Sequence, residues 1–409
     1  MRDKELYQHI MGITHPWIVT HVELSMVAGK VNVHVEQEAG TQQCCPHCGA
    51  VCPGYDHRQR SWRHLDTCQF KTFLVANIPR INCPEHGVVT VVVPWAEPGS
   101  GFTALYEALV LDWLKETTTQ AVSRQLSLSW TAIDGMMQRA VKRGLARRKR
   151  ESPKHIGVDE TAFKKGHDYV TVVSNGKHVL HVAEERKTSS LDSYYNTLTA
   201  AQKTGIESIS MDMWPAYIKS TLANIPDAKN KIAFDKFHIA QYLVDAVDRV
   251  RKQEHQALMK EGYDDLKGSK YDWLTHLNNL SRKRQCTFKV LRESTLKTAR
   301  AWAIRTLAMS LWDYVSRTWA KKRWKQWYAW AIRSRLEPIK KVARLIKKHL
   351  WGILNAILLK VNNGGAESIN SRIKAIKIRC RGFRNKARYI NAIYFHLGGL
   401  ELYPNGVNR

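Results

Sequence analysis

Acidic side chains are scarce in this sequence. Among 409 residues, 36 Asp and Glu stand against 64 Lys and Arg, a formal charge of +28. That imbalance calls for a polyanion, an anionic membrane surface or a dedicated basic binding face. Also missing is any apolar run long enough to span a bilayer, so no membrane helix is expected. The opening residues Met1-Arg2-Asp3-Lys4-Glu5 lack the apolar stretch of a secretory leader. A cytoplasmic protein is therefore expected, whose 8 cysteines are reduced or bound to metal rather than paired. Nor is the composition that of a disordered chain, with 44% hydrophobic and 24% charged residues. At about 150 residues per domain the length suggests two to three domains.

Four of the cysteines crowd into one short stretch: Cys44, Cys45, Cys48 and Cys52. Two turns stand out, Cys45-Pro46-His47-Cys48-Gly49 and Cys83-Pro84-Glu85-His86-Gly87. Each sets two ligands two residues apart ahead of a glycine that accepts the tight turn. The alternating segment Lys71-Thr72-Phe73-Leu74-Val75 between them reads as a strand. Two knuckles joined by strands predict a zinc ribbon with ligands Cys45, Cys48, Cys83 and His86. Buried, reduced cysteines are the simpler alternative, but paired C-x-x-C and C-x-x-H turns favour metal. Cys44, Cys52, Cys68, His57 and His64 remain as substitute ligands.

From about Phe102 to Leu145 the periodicity is helical. Leu105, Leu109, Trp113 and Leu114 mark a first apolar face. Thr117 to Thr119 offer an N-cap for Gln120 to Leu126, and Ser127-Leu128-Ser129 breaks before a third helix through Ile133, Met136, Met137 and Val141. The pattern fits a helix-turn-helix whose third helix enters a major groove, or an ordinary helical hairpin. The basic run that follows, Arg147, Arg148, Lys149 and Arg150, suits DNA phosphates and favours the former.

Next comes Ile156-Gly157-Val158-Asp159-Glu160, a strand ending on a carboxylate. Tyr169 to Val173, the hairpin turn Asn175-Gly176 and His178 to Val182 follow. A helix over about Leu191 to Ala201 precedes the strand Ile206 to Asp212, a helix over Pro215 to Ala223 and a fifth strand, Lys231 to Asp235. The order β-β-β-α-β-α-β is that of the ribonuclease H fold, whose first and fourth strands are central neighbours. Asp159 and Asp212 would then face one another. Paired carboxylates in an apolar sheet require a proton or a cation, and hard oxygen donors favour Mg²⁺ or Mn²⁺. Two such ions about 4 Å apart can serve in-line phosphoryl transfer. The third carboxylate predicted is Glu367, early in a helix after the loop Asn362-Asn363-Gly364-Gly365, one asparagine capping it. From Arg372 to Arg388 there are eight Lys or Arg and no acid. Arg372, Lys374, Lys377, Arg379, Arg381 and Arg384 are the DNA-binding candidates there.

Residues 239–353 read as an α-helical insertion. Positions 281–350 hold 20 Lys or Arg against Glu293, Asp313 and Glu337, and eight of the 14 Trp lie from Trp273 to Trp351. Helical spacing puts Trp312, Trp319, Trp327 and Trp330 on one face. A tryptophan-rich core is preferred to base stacking, with a DNA-binding face accounting for the charge.

Together the motifs resemble a bacterial insertion-sequence DDE transposase of the ISL (L-three) family, over nearly the whole chain. The resemblance rests on the Cys45 knuckle, Ile156 to Glu160, Met211-Asp212-Met213-Trp214-Pro215-Ala216-Tyr217, Phe234-Asp235-Lys236-Phe237-His238, Ala366-Glu367-Ser368-Ile369-Asn370 and Gly382-Phe383-Arg384. It implies a catalytic triad of Asp159, Asp212 and Glu367 on a ribonuclease H-like fold. It also implies a zinc ribbon and helix-turn-helix that bind terminal inverted repeats, and a homodimer or larger assembly on DNA in the bacterial nucleoid. Related transposases carry an aspartate or cysteine close before a histidine after the fifth strand. Asp235 and His238 match, so His238 is a candidate catalytic residue or a packed structural one. The family's second knuckle is commonly a cysteine pair, and His86 departs from it.

The expected architecture is multidomain α+β. It comprises a zinc ribbon over 1–98, a helix-turn-helix and basic linker over 99–150, and the catalytic core over 151–238. The helical insertion over 239–353 follows, and the rest of the core, with the glutamate helix, over 354–409. The competing function is a zinc-dependent transcriptional regulator with an inactive nuclease-like domain.

Overall fold

The computed structural model describes residues 3–407 except 150, 165, 167, 276, 295, 362 and 363. Arg150, Asn362 and Asn363, and with them part of the expected linker and the asparagine cap, lie outside the described residues. The chain forms two compact units. One comprises 1–149 with the segments 394–396 and 400–409; the other comprises 150–393 with 397–399.

The first unit opens with helix α1 (Asp3–Ile10) and a five-stranded sheet of β1 (Trp17–Ser25), β2 (Lys30–Gln37), β3 (Gly54–Arg63), β4 (Lys71–Cys83) and β5 (Gly87–Thr90). The order is β1-β2-β4-β3, with β5 on β4 and a parallel pairing of β2 with β4. Alternation selects the buried face: Val31, Val33 and Val35 of β2 lie against Leu74, Ala76 and Ile78 of β4. Trp95 meets Trp17 and Trp62 edge-on at 4.8 and 5.6 Å. Only part of β4 was expected from the sequence. The sheet is larger than a bare ribbon, and β4 runs directly into the second knuckle at Cys83.

Three helices follow: α2 (Ala104–Glu116), α3 (Thr119–Leu126) and α4 (Trp130–Arg147). Thr103, Thr118 and Ser129 cap them, each hydroxyl accepting from a backbone N–H in the first turn. Ser127, in the left-handed region at φ 51°, makes the tight turn between α3 and α4. The buried face of α2 differs from the one expected. Tyr106, Val110, Leu111 and Leu114 are buried, whereas Trp113 is exposed. Burial of Glu107 explains the rotation, because it pairs with Arg139 of α4 and accepts from Ser100 at 2.7 Å.

The second unit is built on β6 (His155–Lys164), β7 (Asp168–Ser174), β8 (Val179–Glu184), β9 (Ser208–Met211) and β10 (Ile232–Phe234), in the order β10-β9-β6-β7-β8. The first three strands form an antiparallel meander, and β9 and β10 add in parallel. Strand β6 continues four residues beyond Glu160 because Thr161, Ala162 and Lys164 pair with β7. Asp159 is therefore inside a strand rather than at its end. The helix expected over Leu191 to Ala201 is two, α5 (Thr188–Tyr195) and α6 (Ala200–Gly205), since Thr199 starts a new capping box with Gln202. Helices α7 (Pro215–Asn224) and α8 (Ala228–Lys231) precede β10.

The helical segment consists of α9 (Lys236–Lys260), α10 (Lys270–Leu274), α11 (Arg282–Glu293), α12 (Lys297–Ser310), α13 (Arg317–Arg333) and α14 (Glu337–Leu359). It shares one apolar core with the sheet, running from Ile209 and Phe234 through Val247, Trp273 and Ile304 to Trp324, Trp327 and Ile346. Gly352 lets α14 approach Phe234, where any Cβ would lie 2.5 Å from the ring. The four tryptophans expected on one face do not share it. Trp312 sits in a separate short turn, Trp327 is buried, and Trp319 and Trp330 are exposed. Helices α15 (Gly364–Arg379) and α16 (Lys386–Leu397) complete the chain. Residues 400–407 pack with the first unit, not with the catalytic core to which the sequence reading gave them.

Candidate active site and metal centre

The two knuckles bring Cys45, Cys48, Cys83 and His86 together, with donor atoms all within 4.8 Å of one another. Cys48 and Cys83 sulfurs are 3.7 Å apart, and His86 Nδ1 is 3.5 Å from Cys83 and 3.8 Å from Cys45. Three sulfurs and one nitrogen at this spacing fit a closed tetrahedral zinc site. Gly49 and Gly87, both at positive φ, make the turns. The His86 ring lowers the Cys83 thiol to about 6, towards the thiolate that binds metal. Of the substitute ligands, Cys52 packs beside Cys45 and Cys83 but points its thiol at the Ala50 carbonyl, 3.3 Å away. His64 is buried against the Thr103 hydroxyl at 2.9 Å, and burial lowers it to about 4.

The second cluster is assembled from four distant stretches. Pairing of β6 with β9 runs His155↔Ser208, Ile156↔Ile209, Gly157↔Ser210. Continued by two residues, that register sets Asp159 beside Asp212, where β9 has ended. Asp235 follows β10 and caps α9, accepting from Phe237 N–H at 3.1 Å. Its other oxygen is buried without a hydrogen-bond partner and lies 3.9 Å from His238 Nε2. Glu367 stands in the first turn of α15, favoured there by the helix dipole. A backbone contact helps seat that turn: a Cβ on Gly365 would lie 2.8 Å from Gly176 Cα, at the β7–β8 hairpin.

These groups feel one another's charge. Burial pushes Asp159 up to about 6, and the Glu160 and Asp235 carboxylates add to the rise while His238 opposes it. Burial likewise raises Asp235, with Glu367 and Asp212 contributing. Glu160 is raised by burial too, against the pull of Arg186 at 2.6 Å. A buried Glu160 oxygen, like that of Asp235, has no hydrogen-bond partner. Uncompensated acidic charge with orphaned oxygens is what a divalent cation would relieve.

Two residues carried no role in the sequence. Asn370, one turn after Glu367, donates to Asp159 Oδ2 at 2.6 Å and so ties the glutamate helix to β6. Its spacing from Glu367 was a visible signal, but its partner was not. Arg186 holds Glu160 and lies 3.9 Å over the Trp214 ring and 4.7 Å over Tyr169. Nothing local in the sequence marks that stack.

The basic candidates divide. Arg372, Lys374, Arg379, Arg381 and Arg384 are exposed, whereas Lys377 donates to the Ala162 carbonyl at 2.9 Å. Arg147 is the last residue of α4, not linker, and donates to the Tyr403 carbonyl at 2.6 Å and to Asn405. Arg148 ends the helix and Lys149 is exposed. Among the described residues no helix is long and apolar enough to cross a membrane.

The DDE-type ISL3 family model, described as a transposase, matches residues 156–393, more than half of the chain. A model for the zinc-finger of the transposases of IS204, IS1001, IS1096 and IS1165 matches 41–86. The helix-turn-helix domain of transposase family ISL3 matches 91–141. The transposase for insertion sequence element IS1001 of Bordetella parapertussis is 26% identical over 349 residues, 84% of this chain and 86% of the relative. That for IS1557 of Mycobacterium tuberculosis is 24% identical over 432 aligned positions, 98% of this chain and 96% of the relative. A zinc ribbon, a DNA-binding helix-turn-helix and a DDE domain thus follow one another along one polypeptide, and the chain belongs to the ISL3 family of transposases.

Proposed function

We propose that this transposase binds the terminal inverted repeats of its insertion sequence, breaks phosphodiester bonds at the ends and joins the 3′-hydroxyl to target DNA. The supporting observation is that the β6–β9 register sets Asp159 beside Asp212 while the Asn370–Asp159 hydrogen bond ties the Glu367 helix to β6. The sheet order also fits a ribonuclease H-like core. Asp159, Asp212 and Glu367 would hold Mg²⁺ or Mn²⁺, with Asp235 close by. Bound there, such ions would activate the attacking oxygen and stabilise the leaving one. The chain's own residues do the positioning. Asn370 fixes one Asp159 oxygen, Arg186 holds Glu160 aside, and the Asp235 cap orients the first turn of α9 so that His238 faces the cluster. In the first step water attacks the phosphodiester, giving a 3′-hydroxyl and a 5′-phosphate. In the second that hydroxyl attacks another phosphodiester, and the bond it forms replaces the one it breaks. The zinc ribbon over 1–98 and the helices over 99–150 would recognise the ends. Exposed Arg372, Lys374, Arg379, Arg381 and Arg384 would lie along phosphates. Two ends must be held together for joining, which requires a dimer or larger assembly.

The test supplies the protein with DNA bearing the element's ends, comparing wild type with Asp159→Asn, Asp212→Asn and Glu367→Gln. Cleavage and joining should fall by about a thousandfold or more in each variant while end binding persists. Wild-type binding without any strand break in Mg²⁺ or Mn²⁺ would instead favour the regulator. Activity surviving only in the Glu367 variant would move the third carboxylate to Asp235.

A further inference from the structure

The fold sorts the eight tryptophans between Trp273 and Trp351 into two groups. Trp273, Trp324 and Trp327 are buried, and Trp302, Trp312 and Trp351 pack against the same core. Trp319 and Trp330 are 54% and 39% exposed. They stand eleven residues apart on α13, three turns and about 16 Å, so both share one outer face. Lys322, Arg323 and Gln326 lie between them on that face, and Arg333 lies just beyond. The whole helix carries Arg317, Lys321, Lys322, Arg323, Lys325 and Arg333 and not one acid. Among the described residues none of those six cations has a carboxylate within ion-pair distance. The Lys322 ammonium lies 5.2 Å over the Trp319 ring.

A partner for this face must bring both negative charge and flat aromatic surface. We propose that the outer face of α13 binds unpaired DNA, with phosphates on the cations and bases stacked on Trp319 and Trp330. The proposal rests on the reading of the chain as a DNA-breaking transposase, since cutting one strand at an element end frees a strand to leave the duplex. Paired bases offer edges, not faces, to a protein, so indole rings at this spacing suit a single strand better than a duplex. A second copy of the chain would set Lys322, Arg323 and Arg333 against the same cations and be repelled. An anionic membrane also attracts cations and indoles, and it is one outcome of the test.

The experiment uses the full chain without added Mg²⁺ or Mn²⁺. Its probes are a thymidine oligonucleotide of about 20 residues carrying 2-aminopurine, the matching duplex, and phosphatidylserine–phosphatidylcholine vesicles. Wild type should quench the 2-aminopurine of the single strand. The Trp319→Ala/Trp330→Ala double variant should bind that strand at least about tenfold more weakly and lose the quench, with duplex affinity unchanged. Trp319→Phe/Trp330→Phe should retain most of the binding, which separates stacking from misfolding. Lys322→Gln/Arg323→Gln should flatten the salt dependence of single-strand binding by about 1.4 in logarithmic slope. Unchanged single-strand affinity in the alanine variant, or equal losses on single strand and duplex, would overturn the proposal. Loss of vesicle binding with DNA binding intact would give the face to a membrane instead. If wild type stacks on the single strand yet cuts no DNA with metal present, the catalytic reading fails and this one stands.

Discussion

The zinc knuckles and the proposed carboxylate site of this transposase are built by opposite means. The zinc knuckles draw all four donors from two short turns, each locally complete, with sulfur and imidazole aimed inward. The carboxylate cluster draws Asp159, Asp212, Asp235 and Glu367 from the ends or middles of four elements spread over some two hundred residues of chain. One is soft, closed and made by local turns. The other is made of hard oxygen donors, leaves one Asp235 oxygen without a hydrogen-bond partner and depends on the sheet and α15 being in place. The difference teaches where each can fail: the first with its ion, the second with its scaffold.

Zinc removal should produce the largest effect and tests that contrast directly. A chelator, or Cys45→Ser, should abolish cooperative melting of the first unit and end binding with it, because a structural zinc contributes on the order of 10 kcal/mol to such a fold. The melting transition of the second unit should persist. A single transition lost as a whole in calorimetry would dissolve the distinction.

Next comes the scaffold of the hard site. Asn370→Leu removes the donor to Asp159 without touching a proposed metal ligand. It should lower cleavage by about ten- to a hundredfold and raise the metal concentration needed for half-maximal rate. Asn370→Asp would add another carboxylate, and the same titration should then shift further. Wild-type metal dependence in the leucine variant would mean that the α15-to-β6 tie is packing alone.

Protons should affect the first unit less than zinc does. His64 is buried and titrates near 4 in the folded protein against 6.5 when unfolded. Its neutral form is therefore favoured by folding, so the contribution is complete above pH 6.5 and drains away as the pH falls towards 4. The loss is at most about 3 kcal/mol. His64→Asn keeps a side-chain hydrogen-bonding group near Thr103 and should flatten the melting temperature of the first unit across that window. An unchanged slope would place the titration elsewhere.

The smallest expected effects separate free cations from tied ones. Arg372→Gln and Lys374→Gln should each reduce the salt slope of DNA binding by about 0.9. Arg147→Gln should leave the slope nearly unchanged and lower the melting temperature of the first unit, since its guanidinium holds the Tyr403 carbonyl and Asn405. Equal slopes for Arg147 and Arg372 variants would restore Arg147 to the DNA-binding set.

The sequence by itself determined what local chemistry can write. The C-x-x-C and C-x-x-H turns announced four candidate ligands that do meet, and Thr117 to Thr119 announced a helix start that does occur, with Thr118 as its cap. The strand order was legible because alternation, the Asn175-Gly176 turn and intervening helices leave few ways to lay down the sheet. Tertiary structure decided the rest, because those choices depend on partners far along the chain. Only the α15–β6 contact brought Asn370 to Asp159, and only the fold brought Arg186 to Glu160. The pairing of buried Glu107 with Arg139 put Glu107 on the inner face of α2 and left Trp113 exposed. Packing against α12 and α14 decided which tryptophans of α13 entered the core and which stayed in water. Burial is a property of the surfaces brought together, and a helical period states which residues share a face but not which face will find a partner.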